Sequence, residues 1–238
     1  MPGIMGWFQA NPRIFYVGGI AVMLASLGAV FLGGLGGGSH AAPDPTATAA
    51  PATAEPTVAA SATAEPADQI VRSYVAAPPM EIDVANSFEA VIETENGEIR
   101  IELLPEEAPG YVNNFVFLAR NDFYDGLTFH RVIAGFMAQG GDPEGQGFGG
   151  PGYSLVEEKN ELDFGTGVLS MAKGAGVSGS QFFITLAPTP FLEGDFTVFG
   201  RVTGGLDVLR QITIREPGTG QPPADLILDI EIIETESD

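Results

Sequence analysis

The chain has 238 residues, no cysteine, and a formal net charge of -21 from 31 acidic against 10 basic side chains. That charge opposes capture of DNA or RNA, whose affinity comes mostly from Lys and Arg neutralising phosphates, so no nucleic-acid partner is expected. Without cysteine there are no disulfides, thiolate nucleophiles, zinc-thiolate sites or lipid attachment to cysteine.

Residues 1–13 read as a cytoplasmic N-terminus and 14–38 as a transmembrane anchor. From Ile14 to Leu35 the sequence is uncharged and almost wholly apolar or small; at 1.5 Å per residue it spans about 33 Å, close to the hydrocarbon thickness of a bilayer. Arg13 precedes the run and no Lys or Arg follows until Arg72, so the positive-inside bias places everything after it outside the cytoplasm. The competing reading is a signal peptide cleaved at Ser39-His40-Ala41, giving a secreted protein. Ala21, Ala25, Ala29 and Gly33 put small side chains on one helix face, where weak self-association of the anchor becomes possible. Residues 39–79 read as a linker: the stretch to residue 67 is almost entirely Ala, Pro, Thr and Glu, with too few large apolar side chains to bury. As a polyproline-like tether it would reach about 80 Å.

The domain is placed at 80–238. Phe88–Thr94 and Glu98–Leu104 alternate apolar and polar residues around Asn96-Gly97, which predicts a β-hairpin turning on positive φ angles. Pro105 and Glu106-Glu107 suit a helix start, and Val112, Phe115, Val116 and Ala119 recur at helical spacing until Asn121. Short apolar runs follow at 128–133, 136–139, 168–171, 182–186, 197–202 and 226–233, with a second helix over Leu206–Ile212. Eight strands and two helices in this order predict a mainly β fold, a closed eight-stranded antiparallel barrel capped by the helices and filled by side chains. Periodicity alone does not separate this from a sandwich. In a filled barrel, function sits on the outer wall.

Most reaction classes fail on inventory. The only histidines are His40 and His130, so the domain has no two-histidine metal site, and a Ser-His-Asp triad would depend on His130 alone. His130, beside Phe129 in an apolar strand, reads as a hydrogen-bonded core residue. The glycine-rich stretch Gly140–Gly152 lacks a Gly-Lys-Ser/Thr ending and carries Asp142 and Glu144, so it reads as a tight loop and not a phosphate cradle.

Phe129-His130-Arg131-Val132-Ile133-Ala134-Gly135-Phe136-Met137-Ala138-Gln139-Gly140-Gly141-Asp142 resembles the signature of the cyclophilins. Leu169-Ser170-Met171-Ala172, Gly179–Thr185, Phe191-Leu192-Glu193-Gly194 and Val198–Val202 follow in that family's order. The resemblance, spanning about Phe88 to Ile233, implies a peptidyl-prolyl cis-trans isomerase acting on proline-containing polypeptides, with no metal or cofactor. It places the catalytic arginine on Arg131, the proline pocket on Phe136, Met137, Phe183 and Leu192, and polar contacts on Gln139 and Gln181. Ala172 and Lys173 would flank the subsite for the residue before proline. Read without the motif, Phe136, Phe183 and Leu192 are better explained as core, the commoner fate of such residues.

The chemistry fits the residue types. Rotation about an X-Pro bond faces a barrier near 20 kcal/mol because resonance holds the C–N bond planar. At the twisted transition state the imide nitrogen regains a lone pair, and a guanidinium aimed there stabilises that state above either planar form. Three departures from the family pattern stand out: Phe191 replaces a frequent tryptophan, implying weak cyclosporin binding; Phe196 replaces histidine or tyrosine; and Lys173 replaces asparagine before a loop about one residue short. A noncatalytic proline-peptide binding module would keep the pocket but not need Arg131.

Overall fold

The computed structural model describes residues 70–216 and 221–237. The expected membrane span, its small-residue stripe, the processing site and the Ala/Pro/Thr-rich stretch to residue 67 lie outside these residues. Among the described residues no helix is long and apolar enough to cross a membrane.

The expected hairpin forms from β1 (Ser87–Thr94) and β2 (Gly97–Leu103). Its turn falls on Glu95-Asn96, one residue earlier than the Asn-Gly signal predicts, with Thr94 opposite Gly97. Of the two expected residues only Gly97 has positive φ, at 127°. The Thr94 hydroxyl accepts from the Asn96 amide (3.2 Å) and donates to the Gly97 carbonyl (2.8 Å), so the side chain shapes a turn that Asn96 enters without left-handed backbone.

Helix α1 (Pro109–Arg120) starts later than Pro105 and its acidic neighbours suggest. Its N-terminus is satisfied from far along the chain: Glu158 accepts from the amides of Gly110 and Tyr111, both at 2.9 Å. A carboxylate there meets orphan N–H groups and the positive end of the helix dipole. The buried face carries Val112, Phe115, Val116 and Ala119 as the spacing predicts. Phe115 stands 5.6 Å from both Phe182 and Phe199, centroid to centroid, and α1 thereby plugs the sheet's interior.

The remaining strands are β3 (Arg131–Ile133), β4 (Met137–Gly140), β5 (Ser154–Leu155), β6 (Val168–Lys173), β7 (Val177–Thr185), β8 (Val198–Gly204) and β9 (Ile227–Thr235). A 3-10 turn spans Pro190–Leu192, and α2 covers only Leu206–Leu209, short of the expected Ile212. All strand pairs are antiparallel. The strands form one curled sheet in the order β3-β4-β7-β6-β8-β2-β1-β9, with β5 added on β7. The described residues thus hold nine strands, not eight, because the two-residue β5 is too short to leave a periodicity. Nor does a continuous ladder close the barrel between β3 and β9. That seam is crossed by a bridge between Thr128 and Leu226 and by hydrogen bonds from Gly126 and Ile227.

The main core fills the concave face, with Phe88, Ile92, Ile99, Ile101, Phe129, Phe182 and Phe199 at 2 % exposure or less. The chain before the sheet also packs. Arg72 donates to the carbonyls of Phe123 (2.6 Å) and Asp125 (2.5 Å), and the Tyr74 ring lies edge-on to Phe117 at 5.3 Å. Arg72 and Tyr74, read from sequence as part of the linker, are docked on the domain, because one cation and one aromatic ring find partners that composition does not disclose.

Candidate active site

A strand turns successive side chains to opposite faces, and the wall β3-β4-β7-β6-β8 is apolar on both. Val132, Ala138, Phe182, Ile184, Leu169 and Phe199 enter the main core. Their neighbours Met137, Phe183, Val168 and Val198 form a second cluster with Phe164 and Leu192, against which Ile133, Phe136, Ala172 and Phe196 pack. Two excursions of the chain build its rim. The amide of Thr189 donates to the Phe164 carbonyl (2.7 Å), and the Phe164 amide to the Glu193 carboxylate (3.3 Å), which ties the stretch before β6 to the turn at Pro190–Leu192.

Arg131 opens β3, directly opposite Gln139 of β4, and Gln139 in turn lies opposite Phe183 of β7. Ile133 lies opposite Met137 on the same pairing. The register therefore puts the half-buried guanidinium, the two glutamines and the second apolar cluster on one face. The free edge of β3 is held by Arg215, which exchanges backbone hydrogen bonds with Val132 at 3.0 and 2.9 Å.

The polar part is a directed relay. Arg131 Nη1 donates to Gln139 Oε1 (3.2 Å), Gln139 Nε2 to Gln181 Oε1 (3.0 Å), and Gln181 Nε2 to the Gly149 carbonyl (2.7 Å). A guanidinium only donates and a carbonyl only accepts, so the two ends set the orientation of both amides. Burial draws the Arg131 pKa below its ordinary value, yet arginine keeps its charge in proteins. Among the described residues no carboxylate pairs with it: the ion pairs involve Arg100, Arg120, Lys159, Lys173 and Arg201. Its remaining donors stay available to a ligand.

Gly140–Gly152 is the tight loop its composition predicts, organised by Asp142. This carboxylate, 1 % exposed, accepts from the amides of Glu144 (2.8 Å), Gln146 (2.9 Å), Gly147 and Phe148 (3.1 Å). His130 is buried as expected, but it precedes β3 and neither ring nitrogen makes a well-formed hydrogen bond. Burial lowers its pKa, with the Asp142 charge and the Thr128 carbonyl opposing, so the imidazole adds no second positive charge beside Arg131 at neutral pH.

The expected pocket residues are brought together. Met137, Phe183 and Leu192 form the buried floor. Phe196 meets Phe183 edge-on at 5.5 Å, and Phe136 meets Phe191 at 5.7 Å; Phe191 itself is 53 % exposed at the rim. Ala172 packs beside them, and Lys173 is ion-paired to Glu157 at 2.5 Å and stands 3.4 Å from the Asp195 carbonyl, next to Phe196. Two features escaped the sequence reading. Phe164 stacks over Phe183 at 6.5 Å, from a polar stretch without periodicity, and the Arg215 clip joins positions far apart in the chain.

Such a site sets one guanidinium, without a carboxylate partner among the described residues, beside a shallow apolar surface, an arrangement suited to binding and charge stabilisation. The profile of the family described as "Cyclophilin type peptidyl-prolyl cis-trans isomerase/CLD" matches residues 90–235. The chain is 52 % identical over 122 residues to peptidyl-prolyl cis-trans isomerase B of Bacillus subtilis, covering 50 % of this chain and 85 % of that one. To peptidyl-prolyl cis-trans isomerase B of Streptomyces anulatus it is 42 % identical over 174 residues, covering 64 % and 99 %. The crystal structure of a Cryptosporidium parvum cyclophilin-type isomerase superposes with a TM-score of 0.57 at 34 % identity, over 63 % of this chain and 99 % of that one. A structure of that protein in the presence of the dipeptide Ala-Pro superposes at 0.56. The chain belongs to the cyclophilin-type family and is an enzyme of the peptidyl-prolyl cis-trans isomerase class.

Proposed function

We propose that this enzyme accelerates X-Pro rotation in exported polypeptides and assists their folding outside the cytoplasm, with Arg131 stabilising the twisted imide. The observation that carries the mechanism is the placement of Arg131: half-buried, held by Gln139, without a carboxylate partner among the described residues, on the face that bears the apolar cluster. Met137, Phe183 and Leu192 would receive the pyrrolidine ring, with Phe136, Phe191 and Phe196 as its rim. Gln139 and Gln181 would orient the guanidinium and contact the substrate backbone, and Ala172 would border the residue before proline.

As the C–N bond twists, amide resonance is lost and electron density returns to nitrogen. A fixed N–H donor aimed at that lone pair strengthens as it forms, so binding energy appears at the transition state and not in either planar ground state. No bond is broken. The apolar surroundings exclude water and so strengthen the charge-dipole term. Arg131→Ala should lower exchange of an X-Pro peptide at least about tenfold, or about 1.4 kcal/mol in barrier. A protease-free NMR exchange assay measures this, and equal rates in the variant would defeat the mechanism.

The export reading rests on the apolar run Ile14–Leu35 and the charge bias around it. It places the enzyme on the outer side of the membrane by a retained anchor, or free after cleavage near Ala41. Membrane fractionation with N-terminal sequencing tests it: a full-length chain in the soluble fraction would overturn both forms.

A further inference from the structure

Past its start, where the Ser180 hydroxyl donates to the Gly141 carbonyl (2.7 Å), the glycine-rich loop that ends the glutamine relay is pinned at three places, and one pin lies outside residues 90–235. Asp142 holds its first half through four amides. Gln181 holds Gly149. The third pin comes from the segment that leads into the domain: the Tyr74 amide donates to the Pro151 carbonyl at 2.7 Å.

That segment is itself anchored at the contact and two residues before it. Arg72 grips the Phe123 and Asp125 carbonyls, with its guanidinium 6.0 Å from the Phe123 ring centre. The Tyr74 ring packs on Phe117 at 5.3 Å and Phe123 at 6.4 Å. Opposite it, Gly152 has φ +97°, and a Cβ there would stand 2.6 Å from the Tyr74 carbonyl oxygen. A side chain at 152 and a docked strap exclude each other, so this glycine is matched to the strap as well as to its own turn.

We propose that the strap Arg72–Tyr74 is a positioning element of the catalytic wall, with Tyr74 as its positioning residue. Pro151 lies two residues from Gly149, whose carbonyl is the terminal acceptor of the relay that orients Gln181, Gln139 and finally Arg131. Releasing Pro151 frees that carbonyl to move. The two amides then lose the acceptor that fixes their orientation, and Arg131 samples directions away from the imide nitrogen. Among the described residues the Tyr74 hydroxyl has no hydrogen-bond partner, so the anchoring work falls to the ring.

The catalytic readout of this inference rests on the isomerase function proposed above, so the test includes readouts that do not. Full-length Tyr74→Ala, Tyr74→Phe and Gly152→Ala are compared with wild type at a temperature where circular dichroism shows all four folded. Tyr74→Ala and Gly152→Ala should each lower kcat by about tenfold with KM changed less than about twofold, the signature of a misaimed catalytic group. Tyr74→Phe should behave as wild type, and the double variant Tyr74→Ala/Gly152→Ala should be no worse than Gly152→Ala alone, since the strap is already lifted there. Hydrogen exchange at the amides of residues 146–149 should quicken in both impaired variants, and the Arg131 Nε–H resonance should shift. Folded variants with unchanged loop exchange and an unshifted Arg131 resonance would overturn the proposal, as would an activity loss that additive variants and reduced stability explain. If wild type shows no catalysis, the isomerase reading fails by itself, and loop exchange with the Arg131 resonance still decides the positioning.

Discussion

Phe182 and Phe183 are neighbours on one strand, and they do opposite jobs. Phe182 points inward, 0 % exposed, among Phe115, Tyr124 and Phe129 at 5.6 to 6.3 Å. Phe183 points outward, 5 % exposed, between Phe164 and Phe196 beneath a rim that includes the half-exposed Phe191. Both faces of the wall obey the same two-residue alternation and use the same residue types. They differ in what covers them: a helix and the rest of the curled sheet inside, two short loops and solvent outside. The inner face has no choice of partners, whereas the outer face retains surface that a ligand can complete.

The largest expected effect would break this comparison if it failed. Phe182→Ala should cost about 3–5 kcal/mol of stability, the range for deleting a buried ring and leaving a cavity. Denaturant unfolding measures this, and the folded fraction should keep most of its exchange activity. A smaller effect on stability but a specific one on binding is expected outside: Phe191→Ala should leave unfolding within about 0.5 kcal/mol of wild type. It should raise KM for a proline peptide several-fold, about 1 kcal/mol of lost ring contact. Unchanged KM would remove Phe191 from the rim.

The smallest effect lies away from both faces. Burial pushes the Asp125 carboxyl up to about 6, reinforced by Asp229 and Asp122 and opposed by Arg72. A raised carboxyl pKa means the folded state holds a proton that the unfolded state has released between about pH 4 and 6. Asp125 therefore makes stability fall as pH rises through that window. Asp125→Asn should flatten the slope and stabilise the protein at pH 7 by less than about 1 kcal/mol, since the group is largely solvent-screened. A pH series of melting curves reads this directly, and an unchanged slope would refute the assignment.

Much of the wall was legible in the sequence because strand alternation is local. The hairpin, the buried face of α1, the motif carrying Arg131 and Gln139 and the separate block carrying Gln181 each needed only residues near one another in the chain. The signals failed where the chain meets itself across long intervals. Glu106-Glu107 reads as a helix start, but the helix begins at Pro109 because Glu158 supplies the cap. Residues 70–79 read as linker because Arg72 and Tyr74 mean nothing until Phe123, Phe117 and Pro151 are beside them. The ion pair of Lys173 with Glu157 is likewise silent in the sequence.

The sequence by itself determined which residues alternate, where the motif places the guanidinium, and which chemistries the missing cysteines and scarce histidines exclude. Only the tertiary structure decided which of two apolar faces is core and which is left for a ligand. Alternation defines two sides of a strand but does not say what will pack against either.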